Sequence, residues 1–452
     1  MQFNLWPPEH KSFSIASEGR RGRRIGKITV MTPRNTLPHE AAFTVGVAQL
    51  GARMHYAVPR ILCAAGMLER LYTDFAAVGP WPAVLKVLGT VSGAKGVLGR
   101  MNSRLPEGIP PGNITHWPAF GIEYYFRQRR APPAELAHVF EWAGAELCRR
   151  VVRYGLGKAS AVYTYNSAGL ELLEFSRARG ARRMMEQTIA PILVEDRLLA
   201  EEHRSWPGWG KARQADPARA RLAERERAEW ECAELILCGS EFVRCGIAEC
   251  GGPVARCRVV PYGADVPRAQ APRPARGEEK LRVLIVGEVG VRKGAPYVLQ
   301  AARAAQKWAE FRWCGRVAVL PEAASRLQEH IELPGAVPRP QMPEHYAWAD
   351  VFLLPSICEG SATACYEALA AGLPVVTTEN AGSVVRDGIE GFIVPIRDAA
   401  AMVGRLETLH RDRELLDSAA RAALKRSGDF TLAKYGERLL ATLESACATS
   451  RV

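Results

Sequence analysis

Two glutamates separated by seven residues stand in a segment whose other residues are mostly small. Glu359 precedes the run GSATA, and Glu367 lies inside the predicted helix ATACYEALAAG. The first N–H groups of a helix lack intrahelical partners and favour an anion, and the small residues leave room there for a phosphate. A carboxylate only accepts hydrogen bonds, so it suits the hydroxyls of sugars attached to that phosphate. The segment predicts a nucleotide diphosphate sugar site, with the ribose at Glu367 and a second sugar at Glu359.

Two cations are expected at the same edge of the predicted sheet. Arg292 and Lys293 stand between the apolar strand LRVLIVGEV and the next helix, where they could bind diphosphate oxygens. The spacing matches neither a Walker A loop nor the GxGxxG dinucleotide fingerprint. Each charge taken alone also fits an ordinary exposed loop, and Glu359 alone fits a residue that caps the helix.

Length and composition favour two domains of a globular protein. The chain has 452 residues, too many for one hydrophobic core, with 48% hydrophobic and 24% charged residues. No apolar run reaches the roughly 20 residues that span a bilayer, and the first residues lack the apolar stretch of a secretory signal. We therefore expect a cytoplasmic protein.

Positive charge is concentrated in the first half of the chain. Residues 1–200 contain 26 Lys and Arg against 15 Asp and Glu, whereas residues 201–452 contain 34 against 33. This excess fits arginines spread over a solvated surface, peripheral contact with an anionic membrane on its cytosolic side, or acidic substrates. Nucleic acid is disfavoured as a partner, because no helix-turn-helix or stacking-aromatic pattern accompanies the charge.

Strand and helix patterns alternate in two series, separated by a stretch rich in Pro and Arg. This alternation predicts parallel sheets, and hence an α/β fold of two doubly wound, Rossmann-like domains that face a central cleft. The predicted organisation comprises a basic, disordered extension at 1–38, a first, acceptor-side domain at 39–265, a linker at 266–280, a second, nucleotide-sugar-binding domain at 281–428, and a C-terminal helix at 429–452 that crosses back to the first domain.

The second series carries a specific resemblance. EGSATACYE and the ALAAGLPVV that follows are similar to the paired-glutamate segment of the family 4 retaining glycosyltransferases (group 1 type), which have the GT-B architecture. GVRKG is similar to the motif at a strand end of that family, and AGSVVRDGIEGFIVP and VVPYGAD resemble two further segments. The resemblance is dense over 281–400, looser over 42–265 and absent over 1–38.

The resemblance implies a function. It implies transfer of a hexosyl group from a nucleotide diphosphate sugar to a hydroxyl of a glycan or lipid-linked acceptor, with retained anomeric configuration, in polysaccharide or glycoconjugate synthesis. The departing phosphate would take the acceptor proton. No cofactor and no metal are expected, since the sequence lacks a DxD motif. The base of the donor, in a UDP-, GDP- or ADP-sugar, stays open.

The resemblance also assigns residues to the donor. The catalytic group would be Glu359, Arg292 and Lys293, and the donor-binding group would be Gly287, Val337, Gly360, Ser361, Ala362, Thr363 and Glu367. One position departs from the family: Glu288 follows the glycine at the strand end, where the family often has Arg. Either Arg292 supplies the missing charge, or donor binding is weaker.

Acceptor-side residues are expected at loops of the first domain. The candidates are Gly51, Arg53, His55, His116, Tyr165, Asn166 and Glu186. Gly51 would let a ligand approach the backbone, with Arg53 and His55 at the start of the next helix. Many family members have a His where this chain has Tyr165 and Asn166, and His116 is a candidate substitute. Each of these side chains also fits an ordinary structural role.

Other classes of site and function are less well supported. Five cysteines fall between Cys232 and Cys257 without a CxxC pair, so buried reduced thiols are expected rather than a metal site. A sugar-nucleotide epimerase or a phosphorylase would need an acid/base pair or a pyridoxal lysine, and neither pattern stands out. A non-catalytic protein that binds a sugar nucleotide is the remaining alternative, favoured by Glu288 and the missing His.

Overall fold

The computed structural model describes residues 43–91, 99, 101–132, 135–210, 216–264, 266, 268–269 and 279–448. The predicted extension at 1–38 lies outside these residues, and so do residues 267 and 270–278 of the predicted linker. Within the described ranges, none of the helices combines the length and the apolar character needed to span a bilayer.

The first sheet has seven parallel strands in the order β3-β2-β1-β4-β5-β6-β7. Its strands are β1 Val45–Gln49, β2 Leu68–Thr73, β3 Ile114–His116, β4 Ala161–Tyr165, β5 Arg182–Gln187, β6 Leu235–Cys238 and β7 Cys257–Val259. The accompanying helices are α1 Ala57–Ala64, α2 Trp81–Val91, α3 Pro118–Arg130, α4 Leu136–Tyr154, α5 Leu170–Ala178, α6 Ile192–Ser205, α7 Pro217–Cys232 and α8 Glu241–Glu249.

The second sheet has six parallel strands in the order β10-β9-β8-β11-β12-β13. Its strands are β8 Leu281–Val286, β9 Ala309–Cys314, β10 Ile331–Gly335, β11 Val351–Leu354, β12 Val375–Thr377 and β13 Gly391–Ile393. The helices that follow in the chain are α9 Ala295–Ala305, α10 Pro321–Gln328, α11 Met342–Trp348, α12 Thr363–Ala370, α13 Ala399–Arg411, α14 Arg413–Ser427 and α15 Leu432–Ala448.

Both sheets change winding direction beside their first strand. β1 lies between β2 and β4, and β8 lies between β9 and β11. Connections on the two sides of such a strand leave on opposite faces of the sheet, which opens a crevice at the carboxyl ends of the strands. The predicted α/β fold with two doubly wound, Rossmann-like domains is confirmed.

The helix α15 packs on the first sheet although it follows the second one in the chain. Its buried Tyr435, Leu439 and Leu443 join a hydrophobic cluster with Val45 of β1 and Tyr163 of β4. Apolar side chains at positions i, i+4 and i+8 lie on one face of a helix, which is the face that contacts the sheet. The last described segment therefore ties the two halves of the chain together.

The local signals that end α12 are read correctly from the sequence. Gly372 has a φ of 73°, the left-handed conformation that glycine adopts without a steric cost. The cysteine prediction is only partly right: among the five clustered thiols, Cys238, Cys250 and Cys257 are buried, but Cys245 is exposed. Cys245 lies on the outer face of α8, which the sequence spacing does not reveal.

Candidate functional site

Lys293 reaches across the carboxyl end of β8. The strand is followed by Gly287, whose φ is 130°, and a Cβ at this position would lie 3.0 Å from Cε of Lys293. The missing side chain at Gly287 thus leaves the space that the lysine occupies. Lys293 is 8% exposed, so its ammonium group lies within the crevice at the switch point of the second sheet.

Glu359 holds both predicted cations. Its Oε1 lies 2.7 Å from a terminal nitrogen of Arg292 and 2.7 Å from Nζ of Lys293. Burial alone would raise the pKa of Glu359, but the two cations outweigh it and hold that pKa below its ordinary value. With the carboxylate ionised, the three groups carry a net charge of +1, which favours an anionic ligand beside them.

The tip of α12 is partly occupied by contacts within the protein. The Ala362 N–H donates to the carbonyl oxygen of Ala381 at 3.0 Å, and Oγ of Ser361 lies 2.7 Å from the Tyr366 hydroxyl and 3.1 Å from the Gly382 carbonyl oxygen. The helix itself begins at Thr363. Ala362, one of the expected donor-binding residues, therefore has its N–H bound within the protein and not open to a phosphate.

Glu367 faces a tyrosine and an arginine that the sequence reading did not single out. The hydroxyl of Tyr346 donates to Oε2 of Glu367 at 2.8 Å, and Arg339 lies 4.0 Å from Oε1. Burial raises the pKa of Glu367, and these two neighbours oppose the rise. Arg339 lies two residues after Val337, an expected donor-binding residue, so one loop supplies both groups. No motif marks Tyr346, because its role depends on how α11 packs beside α12.

Replacing Glu367 with alanine should weaken the binding of nucleoside diphosphates about tenfold or more. A charged acceptor for ribose hydroxyls contributes about 1.5–3 kcal/mol, and each 1.4 kcal/mol is tenfold in affinity. Titration calorimetry with UDP, GDP and ADP measures the change. Glu344→Ala is the matched control, because Glu344 is exposed on α11. Equal affinities for wild type and Glu367→Ala would remove the residue from the site.

Glu288 has its own partner on the rim of the crevice. Its carboxylate contacts the guanidinium of Arg316, whose side chain is 70% exposed. The charge at this position is thus compensated from the loop after β9. Arg292, by contrast, is turned toward Glu359 and toward the carbonyl oxygen of Cys358, 3.1 Å away. Arg292 therefore does not take the place of the arginine that the family often has where this chain has Glu288.

In the first domain, Arg53 belongs to a buried polar network. A terminal nitrogen of Arg53 donates to the Tyr262 hydroxyl at 2.8 Å, and that hydroxyl donates to Glu186 at 2.6 Å. Tyr163 donates to the other oxygen of Glu186 at 2.6 Å, and Arg53 lies 3.4 Å from the same carboxylate. Glu186 is 2% exposed. The expectation that Glu186 lines the cleft is wrong, because its carboxylate is buried against the hydroxyl groups of Tyr163 and Tyr262.

The turn between β1 and α1 has an unusual backbone. Met54, His55 and Tyr56 have φ values of 45°, 52° and 58°, a left-handed conformation that costs of order 1–3 kcal/mol for each non-glycine residue. The Tyr56 hydroxyl holds the turn through the carbonyl oxygen of Phe75 at 3.1 Å. Arg53 and His55 therefore lie in this strained turn and not at the start of the helix, which begins at Ala57.

His116 is not brought to the candidates on β4. It ends β3, the edge strand, which is separated from β4 by β2 and β1. Strands are spaced by about 4.8 Å, so His116 lies roughly 14 Å from β4. Its Nδ1 accepts from the Ala76 N–H at 3.3 Å, and burial lowers its pKa. The sequence order could not show that β3 is the edge strand.

Asn166 and Tyr165 lie where the first sheet meets residues 355–362, which connect β11 to α12 and are called the donor loop because the nucleotide sugar is expected there. Oδ1 of Asn166 accepts from the Thr188 N–H at 3.1 Å and from its hydroxyl at 2.8 Å. A Cβ on Gly360 would lie 2.1 Å from the carbonyl oxygen of Thr188, so this backbone touches the donor loop. Thr188 therefore lies between Asn166 and Gly360 and contacts both of them.

Two buried carboxylates on α7 hold the loops after β4 and β5. Glu229 accepts from the N–H groups of Ser167 at 2.6 Å and Gly169 at 2.8 Å, and Glu226 accepts from the Ile192 N–H at 2.9 Å. Burial raises the pKa of Glu229 to about 7 and that of Glu226 to about 8. By binding the backbone of the loops after β4 and β5, Glu229 and Glu226 fix the positions of Asn166 and Thr188, which belong to those loops. The sequence does not reveal this role, because Glu226 and Glu229 stand among many other charged residues of α7.

The donor loop also bridges the two domains. The Ala190 N–H donates to the carbonyl oxygen of Glu359 at 3.3 Å, and Oγ of Ser240 donates to that of Gly360 at 2.5 Å. Thus β5 and β6 of the first sheet present groups to the backbone on which Glu359 stands. The arrangement can close a crevice around a bound donor and exclude water from it.

Comparison with known proteins finds that part of the chain is similar to glycosyltransferases. Residues 280–412 match the family model described as Glycosyl transferases group 1. The chain is 33% identical over 184 residues to WcaL of Salmonella typhimurium, named as a colanic acid biosynthesis glycosyltransferase. That match covers 36% of this chain and 45% of WcaL, so the chain spans about half the length of the curated relative.

Solved structures share the fold at low sequence identity. Sucrose-phosphate synthase from Thermosynechococcus elongatus is 14% identical with a TM-score of 0.61, covering 90% of this chain and 100% of that one. Anabaena HepE, solved in complex with UDP, is 13% identical with a TM-score of 0.55, covering 89% of this chain and 100% of that one. The two facing Rossmann-like domains of the present chain have the GT-B architecture.

Proposed function

We propose that the protein is a retaining glycosyltransferase of the family 4 type that moves a hexosyl group from a nucleotide diphosphate sugar to a hydroxyl of a glycan or lipid-linked acceptor. The observation that carries the proposal is the convergence of Arg292 and Lys293 on Glu359 at the switch point of the second sheet. The match to a group 1 glycosyltransferase model over the same residues supports it. The relative named for colanic acid biosynthesis favours a role in polysaccharide synthesis. We propose that this synthesis takes place on the cytoplasmic side of the membrane.

The proposed mechanism is mainly electrostatic. The diphosphate lies between the two cations and the start of α12, with the ribose at Glu367. As the bond between sugar and phosphate breaks, Arg292, Lys293 and the helix N–H groups stabilise the negative charge that develops on the leaving diphosphate. Glu359 accepts from a hydroxyl of the hexose and fixes both cations. The acceptor hydroxyl attacks from the face that the diphosphate leaves, and the diphosphate takes its proton.

Two measurements test the function directly. Thermal shift with UDP-, GDP- and ADP-glucose identifies the base, because a ligand that binds only the folded chain raises its melting temperature. Release of the nucleoside diphosphate from the donor that binds is then followed with EDTA present, where turnover should persist because the protein cations replace a metal. Equal rates for wild type and Glu359→Gln would contradict the role of Glu359.

A non-catalytic binding function is the second candidate. Asn166 stands where the family resemblance expects a histidine, and its side chain is engaged by Thr188. The charge at Glu288 is the other departure from the family pattern. A chain that binds a sugar nucleotide tightly but releases no diphosphate with any acceptor would favour this candidate.

We further propose that α2 and α3 contact anionic lipid. Leu85 anchors α2 in a small cluster that includes Ile122 of α3, which leaves Val84 40% exposed and Val87 62% exposed beside the exposed Lys86. Phe126 is 44% exposed on α3, next to a run of arginines at its end. Exposed apolar side chains flanked by cations are typical of surfaces that insert shallowly into a negatively charged membrane.

Sedimentation with lipid vesicles tests this surface. The protein should bind vesicles of phosphatidylcholine mixed with phosphatidylglycerol. It should lose most of that binding in 0.5 M salt, because the electrostatic screening length then falls to ~4 Å. The double variant Val84→Asp, Val87→Asp should bind several-fold less, whereas Glu123→Gln on the exposed face of α3 should not bind less. Equal binding to pure phosphatidylcholine, or no binding to either vesicle, would contradict the proposal.

A further inference from the structure

Four buried polar atoms near the switch point of the first sheet lack a hydrogen-bond partner, counting the described residues only. One is Oγ of Ser167 in the loop after β4, and the other three belong to residues at or shortly after the ends of β1 and β4. These three are Oε1 of Gln49, Nε of Arg53 and Nδ2 of Asn166. Gln49 is 1% exposed and Asn166 is 4% exposed. A buried polar atom without a partner is unfavourable, so each of these atoms calls for a ligand or a bound water molecule.

The orientation of both amides is fixed by their other contacts. Oδ1 of Asn166 accepts from the N–H and the hydroxyl of Thr188, so its Nδ2 must point elsewhere. Nε2 of Gln49 donates to the carbonyl oxygen of Gly51 at 3.0 Å and to that of Arg53 at 3.4 Å. Turning either amide over would lose these bonds. The available atoms are therefore a donor on Asn166 and an acceptor on Gln49.

The three residues stand near the end of β4. Val47 of β1 pairs with Tyr163 of β4 in the parallel register, and Gln49 and Tyr165, each two residues further along, are the last residues of these neighbouring strands. The guanidinium carbon of Arg53 lies 5.8 Å from the centre of the Tyr165 ring, and Asn166 is the next residue. The side chain of Arg53 is 23% exposed, so it forms the open side of the group.

The charges beside these atoms compensate one another. Arg53 lies 3.4 Å from the carboxylate of Glu186, which is buried, so no excess positive charge is left for a phosphate. A hydroxyl group both donates and accepts, which matches the free donor of Asn166 and the free acceptor of Gln49. A phosphate only accepts and would be repelled by the carbonyl oxygen of Gln49.

We propose that Gln49, Arg53 and Asn166 form a subsite for the hydroxyl groups of an uncharged sugar of the acceptor. The proposal rests on the glycosyltransferase function above and adds the chemical class of the group that accepts the hexose. The subsite adjoins the donor loop, because Asn166 binds Thr188 and Thr188 touches Gly360. Gln49 becomes a specificity-determining residue that the family resemblance does not supply.

The test compares neutral and anionic sugars on the full chain saturated with UDP, or with GDP or ADP if that nucleotide binds better. Methyl glycosides of glucose, galactose, mannose and rhamnose are titrated in a thermal-shift assay beside glucose 6-phosphate and galactose 1-phosphate. At least one methyl glycoside should stabilise the wild type, and neither phosphate should stabilise it more. Asn166→Asp and Gln49→Met should each weaken the glycoside about tenfold, because a buried hydroxyl loses its partner.

The same thermal-shift assay includes a control variant outside the proposed subsite. Asn113→Asp changes an amide that donates to the Glu69 carbonyl oxygen, away from this group, and should leave the glycoside affinity as in wild type. Tighter binding of a sugar phosphate, no stabilising glycoside, or wild-type affinity in both subsite variants would overturn the proposal. The shift caused by the nucleotide on the wild type is read separately, so loss of that shift marks failure of the proposed function itself.

Discussion

Replacing Lys293 with methionine should lower the rate of glycosyl transfer by about 10²–10³, the loss seen when one group that stabilises a developing oxyanion is removed. Methionine keeps the length and apolar stem of the side chain that fills the space over Gly287, so the fold should persist. The ammonium group 2.7 Å from Glu359 is lost, and with it half of the positive charge expected to face the diphosphate. The rate of diphosphate release at saturating donor measures the effect.

Arg316→Met provides the matched control for Lys293→Met. Arg316 is a cation at the same edge of the second sheet, but its side chain is 70% exposed and contacts Glu288. The control should retain a rate within a few-fold of wild type. If both variants lost the same activity, the effect of Lys293 would reflect the general charge of the rim and not a direct contact with the donor.

Replacing Gly360 with alanine should reduce transfer about 100-fold while leaving each domain folded. The new methyl carbon would lie 2.1 Å from the Thr188 carbonyl oxygen, far inside van der Waals contact, and 2.9 Å from Cα of Ile189. Both contacts are backbone atoms of the other domain, so the donor loop and the first domain must separate. A misplacement of about 1 Å at a reacting centre costs about 10²-fold in rate.

Gly290→Ala tests whether the effect of Gly360→Ala arises from the contact between domains. A Cβ at Gly290 meets only the side chain of Glu288, at 3.8 Å or more, and its φ of −161° suits any residue. This variant should keep near-wild-type rates, and both proteins should show similar far-ultraviolet circular dichroism. Full activity of Gly360→Ala would mean that the contact between Gly360 and Thr188 is not needed for transfer.

The cluster at the carboxyl edge of the second sheet could be predicted from sequence because its residues fall in two short segments, each at the end of one of two neighbouring strands. Glu359, Glu367 and the glycine that ends α12 lie within one strand-loop-helix unit, and Arg292 with Lys293 follow the neighbouring strand. Parallel strands bring their carboxyl ends to one edge, so the alternation of strands and helices is enough to bring Lys293 to Glu359. Local spacing does not predict that Arg292 and Lys293 both pair with the carboxylate of Glu359.

The polar network around Arg53 in the first domain, where we expect the acceptor, could not be predicted to the same depth, because its geometry depends on contacts between distant segments. Arg53 meets Glu186 and Tyr262 only after three separate strand ends have been brought together. The left-handed turn at Met54–Tyr56 contains no glycine, so nothing in its composition signals the backbone. The position of His116 is not predicted for a related reason: the order of strands along the chain does not give their order in the sheet, where β3 is an edge strand.

A co-crystal structure with the nucleoside diphosphate that binds tightest tests the central claim most directly. We predict diphosphate oxygens within hydrogen-bond distance of Lys293 Nζ and of the Thr363 N–H, with both ribose hydroxyls on Glu367. A nucleotide bound away from the carboxyl edge of β8 and β11, or one whose diphosphate contacts neither Arg292 nor Lys293, would contradict the account.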